Sequence, residues 1–139
     1  QLRSETPGIV AALGYDLDRY PDHVDILVGS VMLCLEFRAD DLLEDARPCV
    51  KDSLRDFQER AAPVVGVFEE LEHAEGRCLK HVARIRNRFT ALHRFVLNNT
   101  AELAASVSGQ EIPVRVHRID AKWARVQAAY AQLNRACGK

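Results

Sequence analysis

Apolar residues recur at alternating steps of three and four positions over most of the chain after Val50. Such steps return a side chain to the same side of a helix, whereas a half-buried strand requires an apolar residue at every second position. The pattern therefore predicts three long helices, over 48–75, 77–107 and 113–137, each with an apolar seam. The seam positions are Val50, Leu54, Phe57, Ala61, Val64, Phe68 and Leu71; Cys78, Val82, Ile85, Phe89, Leu92, Val96, Asn99 and Leu103; and Val116, Ile119, Trp123, Val126, Tyr130, Leu133 and Cys137.

The first third of the chain predicts two more helices. Thr6-Pro7 is a good helix start, and a short helix is expected over 6–20. Pro21 is expected to break it and to begin a second helix over 22–46. That helix is apolar on several sides and is expected to be the most buried one. A strand over 24–28, where apolar residues alternate, is the competing interpretation.

The fold class predicted from these elements is all-α, an antiparallel bundle of four to five helices. A chain of 139 residues with 47% hydrophobic residues is long enough for one domain with its own core. We expect residues 1–139 to form that domain, with an N-terminal helical pair over 1–47 and a three-helix heptad unit over 48–139. Pro63 is expected to kink or restart the first long helix, and Gly76 to end it. The predicted aromatic core comprises Trp123, Tyr130, Phe89, Phe68 and Phe57.

The last helix resembles the third helix of a spectrin-type repeat. It has apolar residues at the same intervals around a seam tryptophan, and the stretch from Cys78 to Gln110 is similar in length and rhythm to the long middle helix of such repeats. The stretch 48–75 then corresponds to the first helix, and residues 1–47 lie outside the unit. The resemblance implies a three-helix bundle that serves as a spacer or scaffold of the cytoskeletal kind. The matching residues are Ile112, Val116, Ile119, Trp123 and Val126.

Charge is divided between the two parts of the chain. Residues 1–75 hold 7 Lys/Arg and 17 Asp/Glu, and residues 76–139 hold 12 Lys/Arg and 3 Asp/Glu. No acid occurs between Glu75 and Glu102. The basic side chains in that stretch that share one side of the predicted helix are Arg77, Lys80, Arg84 and Arg88.

Three interpretations of this basic helix remain open, and they are not exclusive. It can pair with the acidic helices of its own bundle and so fix the helix order. It can form a docking surface for an acidic protein segment or an anionic lipid surface. Binding to nucleic acid is the third interpretation, which the overall pI of about 6.6 and the lack of a recognised motif disfavour.

The sequence contains no motif that indicates catalysis, a cofactor or a metal, and we expect no enzyme activity. Glu70 and His73 have the spacing of a di-iron ligand pair, but such sites need a second pair and two further carboxylates. Cys78 and His81 are three apart on one predicted helix, and a buried thiol beside a solvated histidine is the favoured interpretation. Asn99 lies on a seam, where a polar residue can fix register or partner number.

The cysteines and the chain start bear on location. Cys34, Cys78 and Cys137 lie on apolar faces, as buried thiols do, and no CxxC pair indicates zinc. We therefore expect an intracellular, cytoplasmic setting. Because the sequence begins at Gln1 rather than Met and shows no signal peptide, we also expect an excised fragment. The alternative is a secreted protein with two disulfides and a glycan at the Asn98 sequon.

Together these features predict a non-enzymatic interaction or scaffold module of a larger intracellular protein that docks an acidic partner through a basic helix. The alternatives are a secreted, cytokine-like four-helix ligand with disulfides, or a helical domain with a ligand pocket between its helices. A homo-oligomer is a further option.

Overall fold

The computed structural model describes residues 6–40, 47–71, 78–105 and 112–138, with side chains at 6–34, 48–71, 78–100 and 118–138. These residues form four helices and, over the described ranges, no strand. The prediction of an all-α bundle is confirmed. The helices are α1 (Thr6–Asp40), α2 (Arg47–Leu71), α3 (Cys78–Ala105) and α4 (Ile112–Cys137).

The four helices pack as an antiparallel bundle in which each helix lies beside two neighbours, and α1 also contacts α3 across the centre. α1 and α3 each lie against both α2 and α4. The Tyr130 hydroxyl near the end of α4 donates a hydrogen bond to the Val10 carbonyl near the start of α1, at 2.9 Å. Cys78 at the start of α3 lies beside Cys137 at the end of α4. Consecutive helices therefore run in opposite directions, and α1 completes the bundle as its fourth member.

The predicted break at Pro21 is wrong, because α1 is one helix through that residue. A proline inside a helix removes one backbone hydrogen bond, which costs about 3 kcal/mol or more. Leu17, Tyr20 and Val24 flank it at helical spacing and are all buried. Their burial at two consecutive turns stabilises the helix at a position where proline on its own favours a break. The strand alternative over 24–28 is wrong for the same reason.

Pro63 likewise lies inside a continuous α2. Its side chain is exposed, while Ala61 and Val64 beside it are buried. The carbonyl that loses its helical partner is thus on the water side, where solvent can satisfy it. The expected end of this helix at Gly76 lies outside the described residues.

The helix predicted over 22–46 as the most buried one forms the second part of α1, whose side chains the structure describes as far as Cys34. Its inward stripe is buried, but Ile26, Met32 and Leu33 are exposed by 47%, 46% and 55%. The helix is apolar on several sides, and only one side faces the bundle.

The core is formed by the inward stripes of all four helices. The predicted apolar positions of α2 are buried, except for the half-buried Leu54, and those of α3 are buried from Cys78 through Val96. On α4, Val126, Leu133 and Cys137 are buried, while Trp123 and Tyr130 are half-buried against the core. The aromatic residues Phe57, Phe68 and Phe89 are buried within it.

Two disulfides close the two helical hairpins. Cys34 is bonded to Cys49, with 5.7 Å between their Cα atoms, and joins α1 to α2 next to their connection. Cys78 is bonded to Cys137, with 6.0 Å between their Cα atoms, and joins α3 to α4 at the opposite end of the bundle. The buried thiols expected at Cys34, Cys78 and Cys137 are thus half-cystines, and no cysteine is free.

Gly14 of α1 lies directly against the Tyr130 side chain of α4. A methyl group added at Gly14 would overlap the Tyr130 hydroxyl, whereas one added at Gly29 on the same helix meets nothing within 4 Å. We expect Gly14→Ala to lower the free energy of unfolding by about 1–3 kcal/mol through this clash. Gly29→Ala is the matched control and should raise it by about 0.5–1 kcal/mol, because alanine favours the helix. Urea denaturation followed by circular dichroism measures both, and a stabilised Gly14→Ala protein would refute the predicted contact.

Candidate functional site

The basic side chains predicted as a contact surface lie along one side of α3. Lys80, Arg84 and Arg88 are four residues apart and all exposed, and we call these three residues the basic ridge. Arg77, the fourth predicted member, lies outside the described residues. No acid occurs in the sequence between Glu75 and Glu102, so the ridge is a continuous positive strip.

Hydrogen bonds place the basic ridge along the edge between α3 and α4. Arg84 Nη1 donates to Gln132 Oε1 at 2.6 Å, and Arg88 Nη1 donates to the Arg125 backbone carbonyl at 3.3 Å. Both acceptors are neutral, so the two arginines are oriented without losing their net charge. The ridge is therefore held in place and stays positive.

The acidic helices do not neutralise the basic ridge within the described part of the chain. The ion pair found there joins Arg55 to Asp52 inside α2. None of the three ridge cations is paired with a described carboxylate. The interpretation of α3 as a partner for its own acidic helices thus has no contact to support it among these residues.

α4 extends the positive surface, which sequence reasoning missed. Arg118, Arg125 and Arg135 are exposed on α4. Lys122 Nζ lies 5.1 Å from the centre of the Phe95 ring on α3, a cation–π contact that brings this charge to the same hairpin. The division of charge at residue 75 was the available signal, because it coincides with the boundary between the two hairpins. The bundle consequently presents a basic α3–α4 hairpin and an acidic α1–α2 hairpin.

A cluster of aromatic rings fills the centre of the bundle. Tyr20 lies 5.0 Å from Phe89, 5.7 Å from Phe57 and 5.9 Å from Trp123, measured between ring centres. Phe68 contacts Phe89 at 5.5 Å. Four helices contribute to the cluster, so it fixes their relative positions. Sequence reasoning found its phenylalanines and Trp123 from the seam pattern but missed Tyr20, which was expected to end a helix.

His93 is the polar member of this cluster. Its Nδ1 atom is hydrogen-bonded to the Tyr20 hydroxyl at 3.0 Å, and its ring stacks on Phe89 and Phe57. Burial lowers the pKa of His93 and raises the pKa of Tyr20. The pair thus favours a neutral imidazole and a neutral phenol. Burial also raises the pKa of Tyr130, and Asp18 adds to that rise.

The lowered pKa of His93 predicts an acid-sensitive fold. Protonation favours the unfolded state, where the pKa is about 6.5, so this contribution is complete above pH 6.5 and is lost as the pH falls through the folded pKa. The melting temperature should therefore drop below pH 6.5. His93→Phe should reduce that drop, and thermal melts by circular dichroism between pH 7.5 and 5 measure it. His23→Phe, on a half-buried histidine of α1 that is not among the ring contacts of the central cluster, is the matched control; an unchanged pH profile in His93→Phe would contradict the assignment.

The residue pairs considered above as catalytic or metal-binding candidates do not form such a site among the described residues. Cys78 is disulfide-bonded, so it supplies no thiolate to His81. The pKa of His81 is lowered by desolvation and by the adjacent Lys80 and Arg84. His73 lies outside the described residues, and within the described ones no three His, Cys, Asp or Glu side chains are grouped as a metal site requires. Asn99 donates a hydrogen bond to the Phe95 carbonyl one turn earlier, at 2.7 Å.

Comparisons with known proteins give no relative. No protein-family model matches the chain, and neither the curated proteins nor the solved structures include one with significant similarity. None of the described helices has the length and apolar character needed to cross a membrane.

Proposed function

We propose that this chain is a non-enzymatic protein–protein interaction module that docks an acidic partner through the basic ridge of α3. The observation that supports it is the exposed, uncompensated charge of Lys80, Arg84 and Arg88. Positive surfaces of this kind steer acidic partners and raise their association rate. The bonds from Arg84 to Gln132 and from Arg88 to Arg125 orient both guanidinium groups before binding. Less side-chain entropy is then lost in the complex.

An acidic protein segment is the partner we favour. A strip of cations at successive turns of one helix matches carboxylates along an extended or helical segment, and arginine can bind each carboxylate with two hydrogen bonds. A second copy of the chain is one such partner, because its α1–α2 hairpin is acidic. Anionic lipid and nucleic acid also carry negative charge but lack carboxylates at this spacing. The experiment below distinguishes them from an acidic protein.

Charge reversal at the basic ridge tests this proposal. The double variant Arg84→Glu/Arg88→Glu should lose proteins that the wild-type chain captures from an extract, with captured acidic proteins identified by mass spectrometry. The matched control is Arg55→Glu/Arg60→Glu, which makes the same charge change on exposed positions of α2 and should capture the wild-type set. Circular dichroism first establishes that both variants are folded. Equal capture by all three baits, or selective loss of nucleic acid or lipid vesicles only, would overturn the proposal.

For the compartment, we propose an oxidising one in preference to the intracellular setting expected from the sequence. The two bonded cysteine pairs support this, because disulfides persist in secreted and extracellular proteins and are rare in the cytosol. Trapping thiols in protein taken from its natural source should give no adduct before reduction and four after it. Four adducts without reduction would restore the intracellular alternative.

A spectrin-like unit over 48–139 remains a second architectural proposal, and the scaffold role is attached to it. It requires α2, α3 and α4 to fold without α1. The position of Tyr20 among Phe57, Phe89 and Trp123 favours the four-helix alternative. A chain of residues 48–139 should therefore fail to unfold cooperatively, and a sharp unfolding transition of that piece would support the spectrin-like unit.

A further inference from the structure

A cavity of about 130 Å³ opens between α1 and α4 above the central aromatic cluster. Trp123 and Tyr20 line it, and Leu92 of α3, which is fully buried, forms its floor. Protein interiors hold few voids larger than one water molecule. A cavity of this size and apolar character is comparable to one that accepts a benzene ring.

Two carboxylates stand at the mouth of this cavity. Asp25 on α1 and Asp120 on α4 both line it and are both exposed, and no lysine or arginine is among the lining residues. The Tyr20 hydroxyl, a polar group on the wall, is already hydrogen-bonded to His93. The remaining polar side-chain groups on the lining are therefore two negatively charged carboxylates, which accept hydrogen bonds, and the Trp123 indole N–H, which donates one.

We propose that this cavity binds a small ligand with one apolar ring and a cationic amino group. The ring would enter between Trp123 and Leu92, where it loses its contact with water. The ammonium group would lie at the mouth, near Asp25 and Asp120 and close enough to an aromatic edge or face for a cation–π contribution. An anionic ligand would meet two carboxylates there. The site is separate from the basic ridge and does not depend on the function proposed above.

Trp123 provides the measurement, because it is the only tryptophan of the chain. Phenethylamine is the probe, and 2-phenylethanol and phenylacetate are its neutral and anionic counterparts with the same ring. We expect phenethylamine to change Trp123 emission along a saturating curve with a Kd of about 1 mM or tighter. Both counterparts should bind about tenfold more weakly.

Two variants decide whether the cavity and its carboxylates are responsible. Asp25→Asn/Asp120→Asn should reduce the preference for phenethylamine over 2-phenylethanol to about onefold, whereas Asp22→Asn/Asp56→Asn makes the same change in net charge on exposed residues outside the cavity and should keep it. Val28→Phe should fill the cavity and abolish binding of all three compounds. The proposal is overturned if emission does not saturate, if the anion binds as well as the amine, or if the preference survives in Asp25→Asn/Asp120→Asn.

Discussion

Replacing Phe89 with alanine is expected to lower the free energy of unfolding by about 3–5 kcal/mol, the usual cost of removing a buried phenylalanine ring. Phe89 is 2% exposed and contacts Tyr20, Phe68 and His93. Its ring thus joins α1, α2 and α3, and the void left behind cannot close without moving three helices. Since small domains are stable by about 5–15 kcal/mol, one substitution would remove a large share of the total.

Phe95→Ala on the same helix is the matched control. Phe95 is half-buried and lies under Lys122 near the surface. Phe95→Ala should lower the free energy of unfolding by clearly less, about 1–2 kcal/mol, because the half-buried Phe95 ring removes less apolar area from water on folding. Urea denaturation of the oxidised proteins, monitored by circular dichroism, gives both values. Equal losses at the two positions would mean that the aromatic cluster does not organise the core.

Removing the disulfide between Cys78 and Cys137 is expected to lower the free energy of unfolding by about 4 kcal/mol. Removing the disulfide between Cys34 and Cys49 should lower it by less, about 3 kcal/mol. The reason is the length of chain that each bond constrains in the unfolded state. The partners are 59 residues apart in the first case and 15 in the second. The longer loop loses more conformational freedom when it is closed.

The paired variants Cys78→Ser/Cys137→Ser and Cys34→Ser/Cys49→Ser measure this difference by urea denaturation. The two disulfides should also differ in their reaction with reductant. Cys78 and Cys137 are both fully buried, whereas Cys49 is exposed, so the bond from Cys34 to Cys49 should be reduced first. A larger stability loss from the Cys34→Ser/Cys49→Ser variant would contradict the predicted order.

The helices themselves could be predicted from the sequence because their information is local. The steps from Val50 to Leu71 and from Cys78 to Val96 specify one face of a helix without reference to the rest of the chain. The ridge on α3 was found for the same reason, since Lys80, Arg84 and Arg88 are four residues apart.

The remaining features depend on contacts between distant residues. The continuity of α1 at Pro21 requires the burial of Tyr20 against α2, α3 and α4, which no local rule contains. Four cysteines permit three pairings, and their spacing does not choose among them. The hydrogen bond of Tyr20 with His93 joins residues 73 positions apart, so neither residue alone indicated a site.

Peptide mapping of the unreduced protein tests the central claim most directly, namely that two disulfide-closed hairpins of opposite charge form this bundle. Arg38 lies between Cys34 and Cys49, and many basic residues lie between Cys78 and Cys137, so trypsin separates the partners of each pair. The account predicts linked peptides joining Cys34 to Cys49 and Cys78 to Cys137, with no others. Links between the first and the second pair, or free thiols in the folded protein, would contradict it.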